Sequence, residues 1–151
     1  MLVREILGDK GHTVFVCSPN DSLADVVELL VGHNCGSLVV CESSARAQAG
    51  DAVGRMVGII TERDILKACA ANRGTLANLR VSDVMTQDVT IGSPCDSVEQ
   101  TMGLMTDMRI RHLPVVEDGQ LVGLISIGDV VKMQHDRLTM ENHYLKSYLH
   151  G

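Results

Sequence analysis

"GRMVGIITERDILK" (54–67) returns as "GQLVGLISIGDVVK" (119–132), with six of 14 positions identical. Each copy runs through an apolar, glycine-containing stretch to a hydroxyl, Thr61 or Ser126, and places an aspartate three residues on, Asp64 or Asp129. The apolar run predicts a strand and the residues after the hydroxyl a helix. A hydroxyl at the N-cap with an acid at N3 is a capping box, worth about 1 kcal/mol of helix stability. The same turn offers more than a cap. A helix N-terminus presents free N–H groups and a positive dipole to phosphate, and a carboxylate accepts from the two hydroxyls of a ribose. Capping and ribose binding are read as competing uses of the aspartate.

The doubling extends upstream. "VFVCSPNDSLADVVELLVGHNCGSLVVCE" (14–42) lies over "VTIGSPCDSVEQTMGLMTDMRIRHLPVVE" (89–117) at an offset of 75, with nine of 29 positions identical. The final stretches are offset by only 65, so the first half carries an insertion, placed in the Ser-, Ala- and Gly-rich loop 43–53 and expected to be mobile.

Each half reads β-α-β-β-α. "TVFV" (13–16) and "DVTI" (88–91) are short strands ended by Ser-Pro. Helices follow from Ser22-x-x-Asp25 and Ser97-x-x-Gln100, with apolar stripes Leu23, Val27, Leu30 and Val98, Met102, Met105 at helical spacing. "SLVVCE" (37–42) and "HLPVVE" (112–117) are strands, as are "RMVGIIT" (55–61) and "QLVGLIS" (120–126), and Glu117-Asp118-Gly119 suits a tight turn. The closing helices are 62–72 and 127–149. The fold class is α/β (α+β).

Two lead-ins, "VREIL" (3–7) and "VSDVM" (81–85), precede the halves and resemble each other. The domain reading is repeat 1 over 1–73, a linker 74–80, repeat 2 over 81–133, and a helical extension 134–151. A half of about 65 to 70 residues has too small a core to stand comfortably alone, which predicts that the halves pack sheet to sheet about a pseudo-twofold axis.

Composition narrows the function. A formal charge of −6 argues against unspecific nucleic-acid binding, and with Phe15, Tyr144 and Tyr148 as the only aromatic residues no base-stacking platform can be built. Cys17, Cys35, Cys41, Cys69 and Cys95 form no CxxC pair, and no histidine lies at metal-ligand spacing, so no metal is expected. An odd, scattered cysteine set fits a reducing compartment. No run approaches the about 18 apolar residues of a membrane span, and the first residues read as no signal peptide; the expectation is a cytoplasmic protein. No nucleophile stands beside a base and no phosphate-binding or dinucleotide glycine loop is present, so the chain is read as no enzyme.

The doubled unit with "GIITERDILK" and "GLISIGDVVK" resembles a pair of CBS domains forming one Bateman module, and "RIRHLPVVEDGQLVGLISIGDVVK" (109–132) is similar to small stand-alone proteins of that kind. The resemblance covers residues 3 to 133. It implies two repeats packed with pseudo-twofold symmetry and clefts that bind adenosine compounds: AMP, ADP, ATP, NAD(H) or S-adenosylmethionine. The Ser/Thr would contact phosphate and the Asp the ribose, roles that fall on Thr61 and Asp64, and on Ser126 and Asp129. Arg109, Arg111 and His112 in half two, and Arg63 in half one, are the candidate phosphate cations, guanidinium matching phosphate geometry. They favour phosphorylated ligands. Ile60, Ile110, Pro114 and Ile125 are candidate walls for the base, with backbone at Val14 and Val89 pairing its edge. The implied function is a ligand sensor in signal transduction, reporting nucleotide occupancy to an effector protein through conformation or a homodimer. The alternative is a purely structural homodimerisation module with empty clefts. The segment 133–151, with Leu138, Tyr144, Leu145, Tyr148 and Leu149, either crosses a dimer or folds back on its own module.

Overall fold

The computed structural model describes residues 1–42, 55–71 and 74–150; the expected insertion 43–53 lies outside them. In chain order the elements are α1 (Val3–Lys10), β1 (Val16–Cys17), α2 (Leu23–His33), β2 (Ser37–Cys41), β3 (Met56–Thr61), α3 (Glu62–Ala70), α4 (Val81–Val84), α5 (Val98–Met108), β4 (His112–Glu117), β5 (Gln120–Ser126) and α6 (Ile127–His150). β1 runs parallel to β2, and β2 antiparallel to β3; β4 pairs with β5. Asp118 and Gly119 have φ of 51° and 77°, the left-handed values that a two-residue hairpin turn requires at both central positions.

The helices start and stop where local chemistry dictates. Ser22 Oγ accepts from Asp25 N (3.2 Å) and Ser97 Oγ from Gln100 N (3.0 Å), so the serine half of each expected box forms. The opposite ends close on Asn34 and Arg109, both left-handed at φ 51° and 55°. Leu23, Val26 and Leu30 of α2 and Val98, Thr101 and Met105 of α5 are buried, with Val27 and Met102 packed half-buried beside them.

Two expected strands differ. The first begins later than 13–16, pairing only Val16 with Val39 and Cys17 with Val40. Residues 88–91 form no strand; a single parallel bridge joins Gly92 to Val115. The reason lies in the repeated Ser-Pro. Asp21 Oδ2 accepts from Ser18 N (2.9 Å) and Asp96 Oδ2 from Ser93 N (2.8 Å), while Asp21 N and Asp96 N donate back to the Ser18 and Ser93 carbonyls. The chain therefore turns immediately after the first bridging residues, and proline has no N–H to extend a ladder.

Two compact units form, and the lead-ins are exchanged between the repeats. One unit comprises Met1–Gly11, Ile91–Glu117 and Val122–Gly151; the other His12–Thr90 and Asp118–Leu121. Thus α1 packs with the strands of the second repeat, and α4 with those of the first. The backbone bonds match pair for pair. Val81 N donates to Asp21 O and Val3 N to Asp96 O (both 2.9 Å); Ser82 N donates to Pro19 O and Arg4 N to Pro94 O (both 3.0 Å). The linker expected at 74–80 belongs to this framework: Leu79 O and Leu76 O accept from Leu23 N and Ala24 N, satisfying donors at the start of α2 that the helix itself leaves unpaired.

Each unit has its own core. Leu38, Val40 and Ile60 meet Leu23, Val26 and Val81 in one; Leu113, Val115 and Ile125 meet Val3, Leu7 and Val98 in the other. Burial pushes the Cys17 thiol up to about 12, helped by the Asp21 charge, and the Cys41 thiol up to about 11. Both behave as small hydrophobes.

Candidate functional site

At the start of α3 the strand delivers Thr61 to the N-cap, and the reciprocal box closes. Thr61 Oγ1 accepts from Asp64 N (3.3 Å) and Asp64 Oδ2 accepts from Thr61 N (3.0 Å). The first free N–H of the helix, on Glu62, donates to Gly36 O at 3.0 Å. Asp64 also meets the Thr86 hydroxyl, which lies 3.3 Å from Oδ1 and 3.4 Å from Oδ2. The backbone cap therefore uses one carboxylate oxygen and leaves the other to a hydroxyl partner. A carboxylate offers about four lone-pair sites, so capping and accepting from a ligand are compatible, contrary to the expectation that they compete.

The start of α6 repeats the plan with a different third partner. Asp129 Oδ2 accepts from Ser126 N (2.7 Å), Ser126 Oγ accepts from Asp129 N (3.1 Å), and Ile127 N donates to Arg111 O at 2.8 Å. Lys10 Nζ then lies 2.7 Å from Asp129 Oδ2 and donates at 2.7 Å to Leu124 O. The pair is about three-quarters buried on the Asp129 side. Burial raises the Asp129 carboxyl, but the hydrogen bonds from Lys10 and Ser126 and the Lys10 charge outweigh it and hold it below the ordinary 3.8.

The remaining expected residues divide. Arg63, Arg109 and Arg111 are exposed, His112 is half-buried at the start of β4, and Ile110 is half-buried against the second core. Arg111 is brought to the α6 start through its backbone bond to Ile127. Pro114 is buried in β4, and Val89 is half-buried with its N–H donating to Gln87 O. Val14 is buried. Ile60 and Ile125 are corrected: both are 0% exposed in the two cores, so neither can wall a base without the core opening. Around Ile60 the strand is buried on both faces, and around Ile125 the buried Gly123 and Ile125 alternate with half-buried neighbours, an alternation the uniformly apolar sequence does not show.

Sequence reasoning missed Thr86 and Lys10, the groups that reach the two aspartates. The signal available was the likeness of the lead-ins, since Thr86 and Lys10 each lie just past or at the end of one. Ser37 was missed as well; it is in register with Thr61, and its Oγ is buried with no hydrogen-bond partner among the described residues. Among the described residues no cluster of three His, Cys, Asp or Glu could hold a metal, and no helix is long and apolar enough to cross a membrane.

The family model for the CBS domain matches residues 3–71 and again 81–136. A relative from Arabidopsis thaliana, the CBS domain-containing protein CBSX3, mitochondrial, is 36% identical over 99% of this chain and 72% of its own length. Among solved structures, the CBS-domain containing protein ATU1752 from Agrobacterium tumefaciens is 37% identical, with a TM-score of 0.78 over 88% of this chain and 92% of its own. The CBS domain pair of protein MJ0100, solved in complex with 5′-methylthioadenosine and S-adenosyl-L-methionine, is 27% identical, with a TM-score of 0.72 over 88% and 98%.

Proposed function

The chain belongs to the CBS-domain family, and from that footing we propose that it is a non-catalytic sensor of adenine nucleotides, AMP, ADP, ATP or NAD(H). It is a regulatory CBS pair. Occupancy of the turns at Thr61–Asp64 and Ser126–Asp129 shifts conformation or dimer state, and an effector protein reads the shift in the cytoplasm. The observation that carries the reading is the capped aspartate built twice, with Asp64 Oδ1 met, among the described residues, by a threonine hydroxyl at 3.3 Å. A ribose hydroxyl replaces that hydroxyl like for like. The adenosine compounds bound by the MJ0100 pair support the ligand class. Arg111, through its backbone link to the α6 start, and Arg63, the residue before Asp64, supply charge for phosphate.

A thermal-shift panel with AMP, ADP, ATP, NAD, NADH, S-adenosylmethionine and GTP tests this, read by dye because the chain has no Trp. A ligand at 100 times its Kd adds about 2.7 kcal/mol, which raises Tm by roughly 5 to 11 °C for a chain of this size. Stabilisation by an adenine compound and none by GTP is the expected result; no shift at millimolar concentrations ends the proposal.

One observation favours the second reading, a structural homodimerisation module. From Leu138 outward α6 exposes Leu138, Met140, Tyr144, Leu145, Tyr148 and Leu149, more large apolar surface than a lone helix leaves in water without a use. Sedimentation equilibrium of the wild type and of Leu145→Glu separates the readings. A dimer that dissociates in the variant, with no ligand response in either, favours the structural module.

A further inference from the structure

Each aspartate receives a third partner from the exchanged lead-in packed in its unit, and the two partners differ in kind. Asp64 meets the Thr86 hydroxyl at 3.3 and 3.4 Å, long contacts to a neutral group that rotates freely. Asp129 meets the Lys10 ammonium at 2.7 Å, and the same ammonium donates to Leu124 O at 2.7 Å. Lys10 thus bridges the β5 carbonyl and the α6 cap. Charge-assisted bonds of this length are roughly twice as strong as neutral ones, and a second acceptor holds the ammonium in place. Lys10 shares Oδ2 with the cap bond from Ser126 N, and its charge draws on the whole carboxylate. A ribose hydroxyl therefore meets a weaker acceptor at Asp129 than at Asp64, where it exchanges one neutral hydroxyl for another.

We infer that Lys10 determines site selectivity: it serves as the internal partner of Asp129, so that an adenosine ligand fills the Asp64 turn first and the Asp129 turn only weakly. The inference rests on the nucleotide-binding reading and assigns the two turns unequal roles within it.

The opposite role for Lys10 is a cation that attracts phosphate, and an anionic probe distinguishes the two by sign. Isothermal titration with AMP is expected to give one equivalent on the wild type, with the second turn at least about tenfold weaker, a difference of about 1.4 kcal/mol. Lys10→Met, or Lys10→Gln if the first variant folds poorly, is expected to bind two equivalents although it has lost a positive charge. Asp64→Asn is expected to abolish tight binding in the wild type and to leave one equivalent when combined with Lys10→Met. Two equal sites in the wild type, or weaker AMP binding without Lys10, overturns the inference while the nucleotide reading stands. No heat with any of the proteins overturns both.

Discussion

Gly123 lies against Leu7 so closely that a Cβ on the glycine would stand 2.5 Å from Leu7 Cδ2. The equivalent residue of the first repeat, Gly58, would place a Cβ 2.7 Å from the Thr86 carbonyl oxygen and 3.0 Å from Met85 Sδ. These two glycines are what the doubled "VG" of the strands provides: bare backbone on which a lead-in segment can rest. The two obstacles differ in how far they can yield. Leu7 Cδ2 is the end of a side chain, though a fully buried one. Thr86 O is backbone, fixed by the bond it accepts from Ile59 N at 3.0 Å.

Both alanine substitutions are therefore expected to destabilise by overpacking, at about 1–3 kcal/mol, with Gly58→Ala the more costly. Urea unfolding measures each. Leu7→Ala costs about 2–5 kcal/mol alone through its cavity, but Gly123→Ala is expected to cost little in the Leu7→Ala background, because the clash is with the atoms removed. Additive losses in that pair would mean that Leu7 and Gly123 are not in contact.

The acid limb of stability should depend on Asp129. Its folded-state value is depressed below 3.8 by Lys10 and Ser126 against the opposing effect of burial. A depressed carboxylate adds stability that is fully present above the unfolded value, and that fades as pH falls from there through the lower folded value. Unfolding free energy measured between about pH 6 and pH 2 is expected to fall less steeply below 3.8 for Asp129→Asn than for the wild type. Lys10→Met should flatten the same region, since it removes both the hydrogen bond and the positive charge that depress the carboxyl. Identical slopes in all three proteins would refute the Lys10–Asp129 pairing.

Most of this architecture is legible in the sequence because its signals are local. The strands 112–117 and 120–126 are found at their expected bounds, with a turn whose Asp-Gly pair supplies the required positive φ. Ser22, Ser97 and Thr61 mark helix starts through a hydroxyl that accepts three residues on. What escapes is non-local. Lys10 and Asp129 are 119 positions apart, and no pattern within "VREIL" says that it packs on β5 rather than on the strands of its own repeat. Burial of Ile60 escapes for a related reason: the run Gly58-Ile59-Ile60 is buried throughout, so side-chain direction follows from what covers each face.

Thiol reactivity should sort by position. Cys17 and Cys41 are buried and pushed up to about 12 and about 11, so at pH 8 neither supplies thiolate in the native protein. Cys69 and Cys95 are exposed. Labelling with a disulfide reagent at pH 8 is expected to modify Cys69 and Cys95 rapidly, with Cys17 and Cys41 reacting only on unfolding. Peptide mapping after a short pulse assigns the sites. Early modification of Cys17 would mean that β1 opens without global unfolding.

Thr61 and Asp64 allow the cap to be separated from the ligand site, because one cap bond, from Asp64 N to Thr61 Oγ1, does not involve the carboxylate. Thr61 Oγ1 accepts from Asp64 N whatever the side chain at 64, and Asp64 Oδ2 accepts from Thr61 N. Asp64→Ala removes the bonds the carboxylate accepts from Thr61 N, Thr61 Oγ1 and Thr86 Oγ1 while leaving the Asp64 N bond, and should lower ligand-free stability by about 1 kcal/mol, a Tm fall of roughly 2 to 4 °C. Thr61→Ala removes the two bonds of the hydroxyl, from Asp64 N and to Asp64 Oδ2, and should cost a similar amount. If Asp64 holds ribose, the rise in Tm with an adenine nucleotide disappears in Asp64→Ala. In Thr61→Ala it should shrink by less, since the backbone N–H of Thr61 still orients the carboxylate. Should both variants lose about 1 kcal/mol and respond to ligand like the wild type, the turn at Thr61 is a helix cap and nothing more. The nucleotide would then be held elsewhere in the chain.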